Sequence, residues 1–231
     1  MWSSSPKFLS ILLLSLLATA TPILGAIDSQ CQTMFFSTPF LMKLLLNCQF
    51  SLTGPKFAPY FDVTLGQPDL VAASEATNQL DFTLAFVLGG WGAEGCVPTW
   101  ATQFNLTDPE ILNPIKELQA RGGQMLIATG GAVGNYLEHR CSTKESLAEA
   151  YRIALNTVGT AHLDIDVEAP INLDVVNGAL KILQTQLPHV TVSYTLMVQG
   201  DDYGIIEELG VKVLLSAKEH GVNVEIVNGT K

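Results

Sequence analysis

Strand-like and helix-like runs alternate along residues 57–227, with Gly or Pro marking most turns between them, and one strand-like run alternates acids with branched apolar residues. Regular alternation of this kind predicts an α/β fold of parallel strands joined by crossover helices. Two layouts satisfy it, a doubly wound open sheet and a (β/α)8 barrel. The acid-bearing run, His162–Glu168, selects the barrel. With a period of two, Asp164, Asp166 and Glu168 fall on one face and Leu163, Ile165 and Val167 on the other. In a barrel the apolar face packs under helices while the acids look into the interior. An open sheet covered on both faces would make both sides of the strand apolar. Six strands are visible, so the expected fold is an incomplete (β/α)8 TIM barrel with about six of eight strands.

The chain begins with a leader-like stretch, residues 1–26. Lys7 supplies a positive end, Phe8–Leu17 a short apolar core, and Ala18-Thr19-Ala20 or Leu24-Gly25-Ala26 a small-residue cleavage pattern. That core is too short for a comfortable membrane span, and the expectation is a secreted, extracellular protein with no membrane attachment after cleavage. Residues 27–55 are apolar and unassigned, and residues 56–231 form the expected barrel domain. Phe57–Thr64 is the first strand, and Pro68-Asp69-Leu70-Val71 opens a short helix. Asp81–Leu88 reads as a buried second strand, followed by a Gly-rich loop carrying Trp91, Cys96 and Trp100. Asp108-Pro109-Glu110 is a helix start and Gly122-Gly123 its stop. Gln124–Thr129 is the third strand, ending in Gly130-Gly131. Ser142-Thr143-Lys144-Glu145 matches a capping box before a helix whose stripe is Leu147, Ala150, Tyr151, Ala154, Leu155 and Val158. After the fourth, acid-bearing strand, Asn172 caps a helix that Pro188 ends. Val190–Val198 is the fifth strand, Ile205–Lys218 is helical with Gly210 as a weak point, and Val222–Val227 is the sixth strand.

Composition narrows the function classes. Of 231 residues 48% are hydrophobic and 15% charged, enough for a sizeable core and unlike a disordered chain. A net charge of −10 with no basic stripe excludes the phosphate backbone of nucleic acid as a natural partner. Four cysteines, Cys31, Cys48, Cys96 and Cys141, allow three pairings in an oxidising compartment. No Cys-x-x-Cys or His-x-x-x-His spacing suggests zinc. Asn105-Leu106-Thr107 and Asn228-Gly229-Thr230 are N-glycosylation sequons.

Three acids facing one enclosed space cannot all ionise cheaply, so at least one pKa is expected to rise. That is how a carboxylic acid stays protonated near neutral pH and serves as a general acid. Glu168, at the open end and with the longest reach, is the natural proton donor. Asp166 would stabilise charge beside it, and Asp164, deeper, would tune Asp166. A solvated surface strand is the bland alternative, and a divalent metal held by oxygen ligands is the other. Barrel metal sites draw ligands from successive strand ends. The ends of the third and fifth strands, Thr129-Gly130-Gly131 and Thr195–Gln199, supply no carboxylate, so neither metal nor cofactor is expected.

The acid row resembles the Asp-x-x-Asp-x-Asp-x-Glu signature of glycoside hydrolase family 18, the chitinases and their relatives. Asp164, Asp166 and Glu168 match it, with Ala161 at the first aspartate position and His162 where glycine is common. Phe57–Thr64 is similar to the first strand of the chitinase D-like branch, Phe82–Phe86 to its second, and Gly95–Trp100 to a Gly-Cys-x-Pro-x-Trp loop. Gly130-Gly131 resembles a Ser-x-Gly-Gly motif with Ala128 in place of the serine, and Ser193–Leu196 the fifth strand. The resemblance, from about Phe57 to Asn228, implies β-1,4-linked N-acetylglucosamine polymers or chitin oligosaccharides as partner. It implies Glu168 as proton donor, Asp166 as holder of the substrate's N-acetyl group and Asp164 as its support. It also implies substrate contacts at Tyr60, Trp91, Trp100, Gly130 and Tyr194, with core or loop packing an equal reading for the tryptophans, and a Cys96–Cys141 disulfide. Val227–Lys231 stands where the family's sixth-strand tyrosine motif would begin. A non-catalytic chitin-oligosaccharide binder is the alternative function.

Overall fold

The computed structural model describes residues 57–92, 95–199 and 204–230. The expected leader, residues 27–55, Cys31 and Cys48 lie outside the described residues. Six parallel strands follow one another in the sheet in chain order: β1 (Tyr60–Asp62), β2 (Phe82–Gly89), β3 (Met125–Gly130), β4 (His162–Val167), β5 (Thr191–Gln199) and β6 (Val224–Thr230). Helices α1 (Leu70–Thr77), α2 (Pro109–Ala120), α3 (Leu137–Arg140), α4 (Lys144–Val158), α5 (Leu173–Gln186) and α6 (Lys212–Glu219) fill the connections. Unbroken β-α-β succession with every neighbouring pair parallel is the winding of a (β/α)8 barrel, of which six strands lie among the described residues.

The helices begin and end where local chemistry dictates. Asp69 caps α1 by accepting from the Ala72 N–H at 2.7 Å, and Asp108 caps α2 with Pro109 at the first position. The far end of α4 is closed by Gly159 at φ 75°, and α2 reaches across to it. Lys116 Nζ and Gln119 Nε2 donate to the Val158 carbonyl at 2.6 and 3.1 Å. The capping box of α4 lies one residue later than expected: Thr143 is the cap and Ser146, not Glu145, returns the second bond.

One expected helix is different. Gly204–Ile205 pairs antiparallel with Val198–Gln199, and a widened turn at Glu207–Val211 precedes α6. A Cβ on Gly210 would meet Ile205 Cγ2 at 2.0 Å, so the weak point is where the chain packs on itself.

The core lies between sheet and helices. Ile127, Leu163, Ile165, Val167, Val192 and Leu196 meet Ile115, Leu118, Leu147, Leu155, Leu180 and Leu183, all buried. No helix among the described residues is long and apolar enough to cross a membrane. The disulfide Cys96–Cys141 is formed and ties the loop after β2 to the residue following α3.

Candidate active site

The inner face of the sheet carries the polar chemistry. Ladder registers place Ala128 beside Asp164 and Asp164 beside Ser193, then Gly130 beside Asp166 and Asp166 beside Thr195, and Thr195 beside Asn228. Period-two alternation therefore gathers small and polar residues inside, while Leu163, Ile165 and Val167 enter the apolar core. Both Asp164 and Asp166 are buried, and Glu168 is half-buried just past the end of β4.

Asp164 is ringed by hydroxyls. Thr195 Oγ1 donates to its carboxylate at 2.8 Å, and the Ser193 hydroxyl and Tyr60 phenol donate to it as well. Tyr60 OH also lies 2.9 Å from Thr195 Oγ1, which takes a further bond from Asn228 Nδ2 at 3.3 Å. Burial in this acidic setting, with Asp164 as the nearest charge, pushes the Tyr60 phenol well above its ordinary pKa, so it stays a donor.

Asp166 has a different environment. Its Oδ1 is buried without a hydrogen-bond partner among the described residues. Desolvation, reinforced by the charges of Glu168 and Asp164, lifts its pKa to about 7. The rise expected somewhere in the row therefore falls on the middle acid.

Glu168 is held through its backbone. Its N–H donates to the Tyr136 phenol oxygen at 3.2 Å, while that phenol donates to the Gly131 carbonyl. Tyr136 is buried and stacks on His139, with ring centroids 4.9 Å apart and planes 13° apart. His139 Nε2 in turn lies 2.7 Å from the Pro170 carbonyl.

The residues expected to contact substrate separate into two groups. Tyr60 is on the inner face, and Trp91, 73% exposed, lies in the loop that leaves the carboxyl end of β2. Trp100 is a correction: it is 0% exposed, built into the core through an antiparallel ribbon on β2 made of Pro98–Trp100 and Phe104–Asn105, and has no ring face to offer a sugar. Tyr194 is another. It points outward between Ser193 and Thr195, and its phenol donates to Asn177 Oδ1 on α5 at 2.6 Å. The Ser193-x-Thr195 alternation already carried that signal. Gly130 serves the strand rather than a ligand, because its φ is 88° and a Cβ there would stand 1.9 Å from the Asp166 carbonyl oxygen. Sequence reading passed over Tyr136, and also Phe86, whose ring is 5.8 Å from that of Tyr60 and lies against Gly131.

No protein-family profile matches the chain. Among curated proteins, the probable bifunctional chitinase/lysozyme of Escherichia coli (strain K12) is 31% identical over 182 residues, covering 74% of this chain and 20% of that protein. Endochitinase 11 of Metarhizium anisopliae is 29% identical over 182 residues, covering 74% of this chain and 34% of its own length. Among solved structures, the catalytic domain of a hyperthermophilic chitinase from Pyrococcus furiosus superposes with a TM-score of 0.69 at 36% identity, covering 75% of this chain and 56% of that one. This chain is a glycoside hydrolase family 18 chitinase-like protein.

It spans about half the length of that solved chitinase domain and a fifth to a third of the curated chitinases. Within the family's barrel, its departures fall beside the acids. Ala128 faces Asp164 from β3, where the resembled motif has serine, and the hydroxyls around Asp164 come from Ser193 and Thr195 on β5 and Tyr60 on β1.

Proposed function

We propose that this chain is a secreted chitinase-type glycoside hydrolase that cleaves β-1,4-linked N-acetylglucosamine polymers by substrate-assisted, retaining catalysis. The observation that carries the reading is the acid row. Asp164 is saturated with hydroxyl donors, Asp166 holds a proton near neutrality, and Glu168 stands at the open end of the strand. Chitin oligosaccharides as ligands are supported by the Pyrococcus furiosus domain, which has been solved with chito-oligosaccharides bound.

In this scheme Glu168 gives its proton to the glycosidic oxygen as the C1–O bond breaks. The substrate's N-acetyl carbonyl oxygen closes on C1 to form an oxazolinium ion, so no second carboxylate is needed as nucleophile. Asp166 accepts the acetamide N–H and stabilises the ion. Water then adds to C1 and returns a proton to Glu168. Exposed Trp91 offers a sugar-stacking face at the rim.

Hydrolysis of an N-acetylglucosamine oligomer by the chain and by its Glu168→Gln variant tests the reading. The variant should lose at least about a hundredfold in rate. Equal rates would remove the catalytic role, and oligomer binding retained by both would then identify a lectin-like binder. The wild-type rate should rise as pH climbs through about 7, where Asp166 becomes the carboxylate that accepts the acetamide N–H and stabilises the ion. Secretion rests on the leader-like residues 1–26 and on the Cys96–Cys141 disulfide. Retention of the full chain inside a secreting host cell would count against it.

A further inference from the structure

The stretch after β4 is gripped from one side by a single short helix. Tyr136, at the cap of α3, places its phenol between the Gly131 carbonyl and the Glu168 N–H, and His139 on the same helix reaches the Pro170 carbonyl at 2.7 Å. These are two attachments, to residues 168 and 170, from side chains stacked 4.9 Å apart. A phenol has one hydrogen to give and lone pairs to receive, so the Gly131 and Glu168 contacts fit one orientation of the hydroxyl. Burial keeps the proton on it, with the pKa pushed up to about 12. A carbonyl only accepts, so His139 must carry its hydrogen on Nε2, in the neutral or the charged form alike.

We infer that Tyr136, braced by His139, is the positioning residue for Glu168. It fixes the backbone from which the carboxyl reaches the scissile bond, without touching substrate itself. Glu168 lies beyond the last ladder residue of β4, Val167, and so receives no constraint from strand pairing. A proton donor misplaced by about an ångström loses much of its rate, and the Tyr136 bond supplies the restraint that the ladder does not. The inference rests on Glu168 being the proton donor.

Tyr136→Phe in the full chain tests it by two independent readings. Amide hydrogen exchange at Glu168 should quicken about tenfold as one hydrogen bond is lost, with Leu163–Val167 unchanged. On an N-acetylglucosamine oligomer kcat should fall about tenfold while KM stays within about twofold. His139→Ala, a change at an exposed residue, should give a smaller shift of the same sign in both. Unchanged exchange at Glu168 in Tyr136→Phe overturns the inference, and so does faster exchange with unaltered kcat. If Glu168→Gln hydrolyses as fast as wild type, the hydrolase reading itself has failed. The exchange measurement then still decides whether Tyr136 holds the segment.

Discussion

Asp166 couples the fold to pH in a direction opposite to most carboxylates. Its folded pKa of about 7 lies above the ordinary value, so the folded chain holds a proton that the unfolded chain releases. That contribution is complete below about pH 4 and is lost as pH rises through 7. Three units correspond to about 4 kcal/mol, and screening by water at the open side of the sheet reduces this to on the order of 2 kcal/mol. Urea unfolding at pH 5 and pH 8 should therefore show wild type losing roughly 1 kcal/mol more than Asp166→Asn, because that interval spans about two of the three units. At Gly130, a Cβ has no room beside the Asp166 carbonyl and the backbone is left-handed. Gly130→Ala should cost at least about 2 kcal/mol in the same assay. The two aromatic residues Tyr194 and Trp91 should behave in contrasting ways. Tyr194→Phe strands Asn177 and should cost about 1–2 kcal/mol while leaving oligomer affinity unchanged. Trp91→Ala should weaken oligomer binding and leave stability unchanged.

At the scale of elements, the Cys96–Cys141 bond closes a loop spanning 45 positions that contains the antiparallel ribbon, α2, β3 and α3. Restricting a loop of that length in the unfolded chain stabilises the fold by about 4 kcal/mol on chain-entropy grounds, and measured bridges give about 2–4. Cys141→Ser should lower Tm by roughly 10 °C. The two sequons also differ by element. Asn105 and Thr107 are exposed around the ribbon, whereas Asn228 lies on β6 with its amide bonded to Thr195 beside the acid row. Secretion from a glycosylating host should place a glycan on Asn105 and none on Asn228, read by glycopeptide mass spectrometry. A glycan on Asn228 would have to break its amide's bond to Thr195.

Across the whole molecule, what was legible was what short-range periodicity encodes. The β-α alternation and the acid row both repeat within a few residues, and both are present in the structure. What encloses the acids was not legible, because Tyr60, Ser193 and Asn228 reach Asp164 or its partner Thr195 only through strand order and register. The misplacement of Tyr194 and Trp100 has the same origin: a motif match says which residue is present, not which face it occupies. Among the described residues, β1 and β6 are each paired on one side only. Every second amide of β6 should therefore exchange rapidly, while those of β3 and β4 remain protected.

The strict alternation of β4 also governs which kinds of genetic change this chain can absorb. Substitutions along the strand alter one side of the sheet at a time. Loss or gain of a single codon between His162 and Glu168 would rotate every later side chain to the opposite face. Carboxylates would then be driven among Leu147, Leu155 and Leu180, and aliphatic side chains into the groove. Drift in this segment is therefore confined to point replacement, and variation in length must fall in the loops that follow the strands.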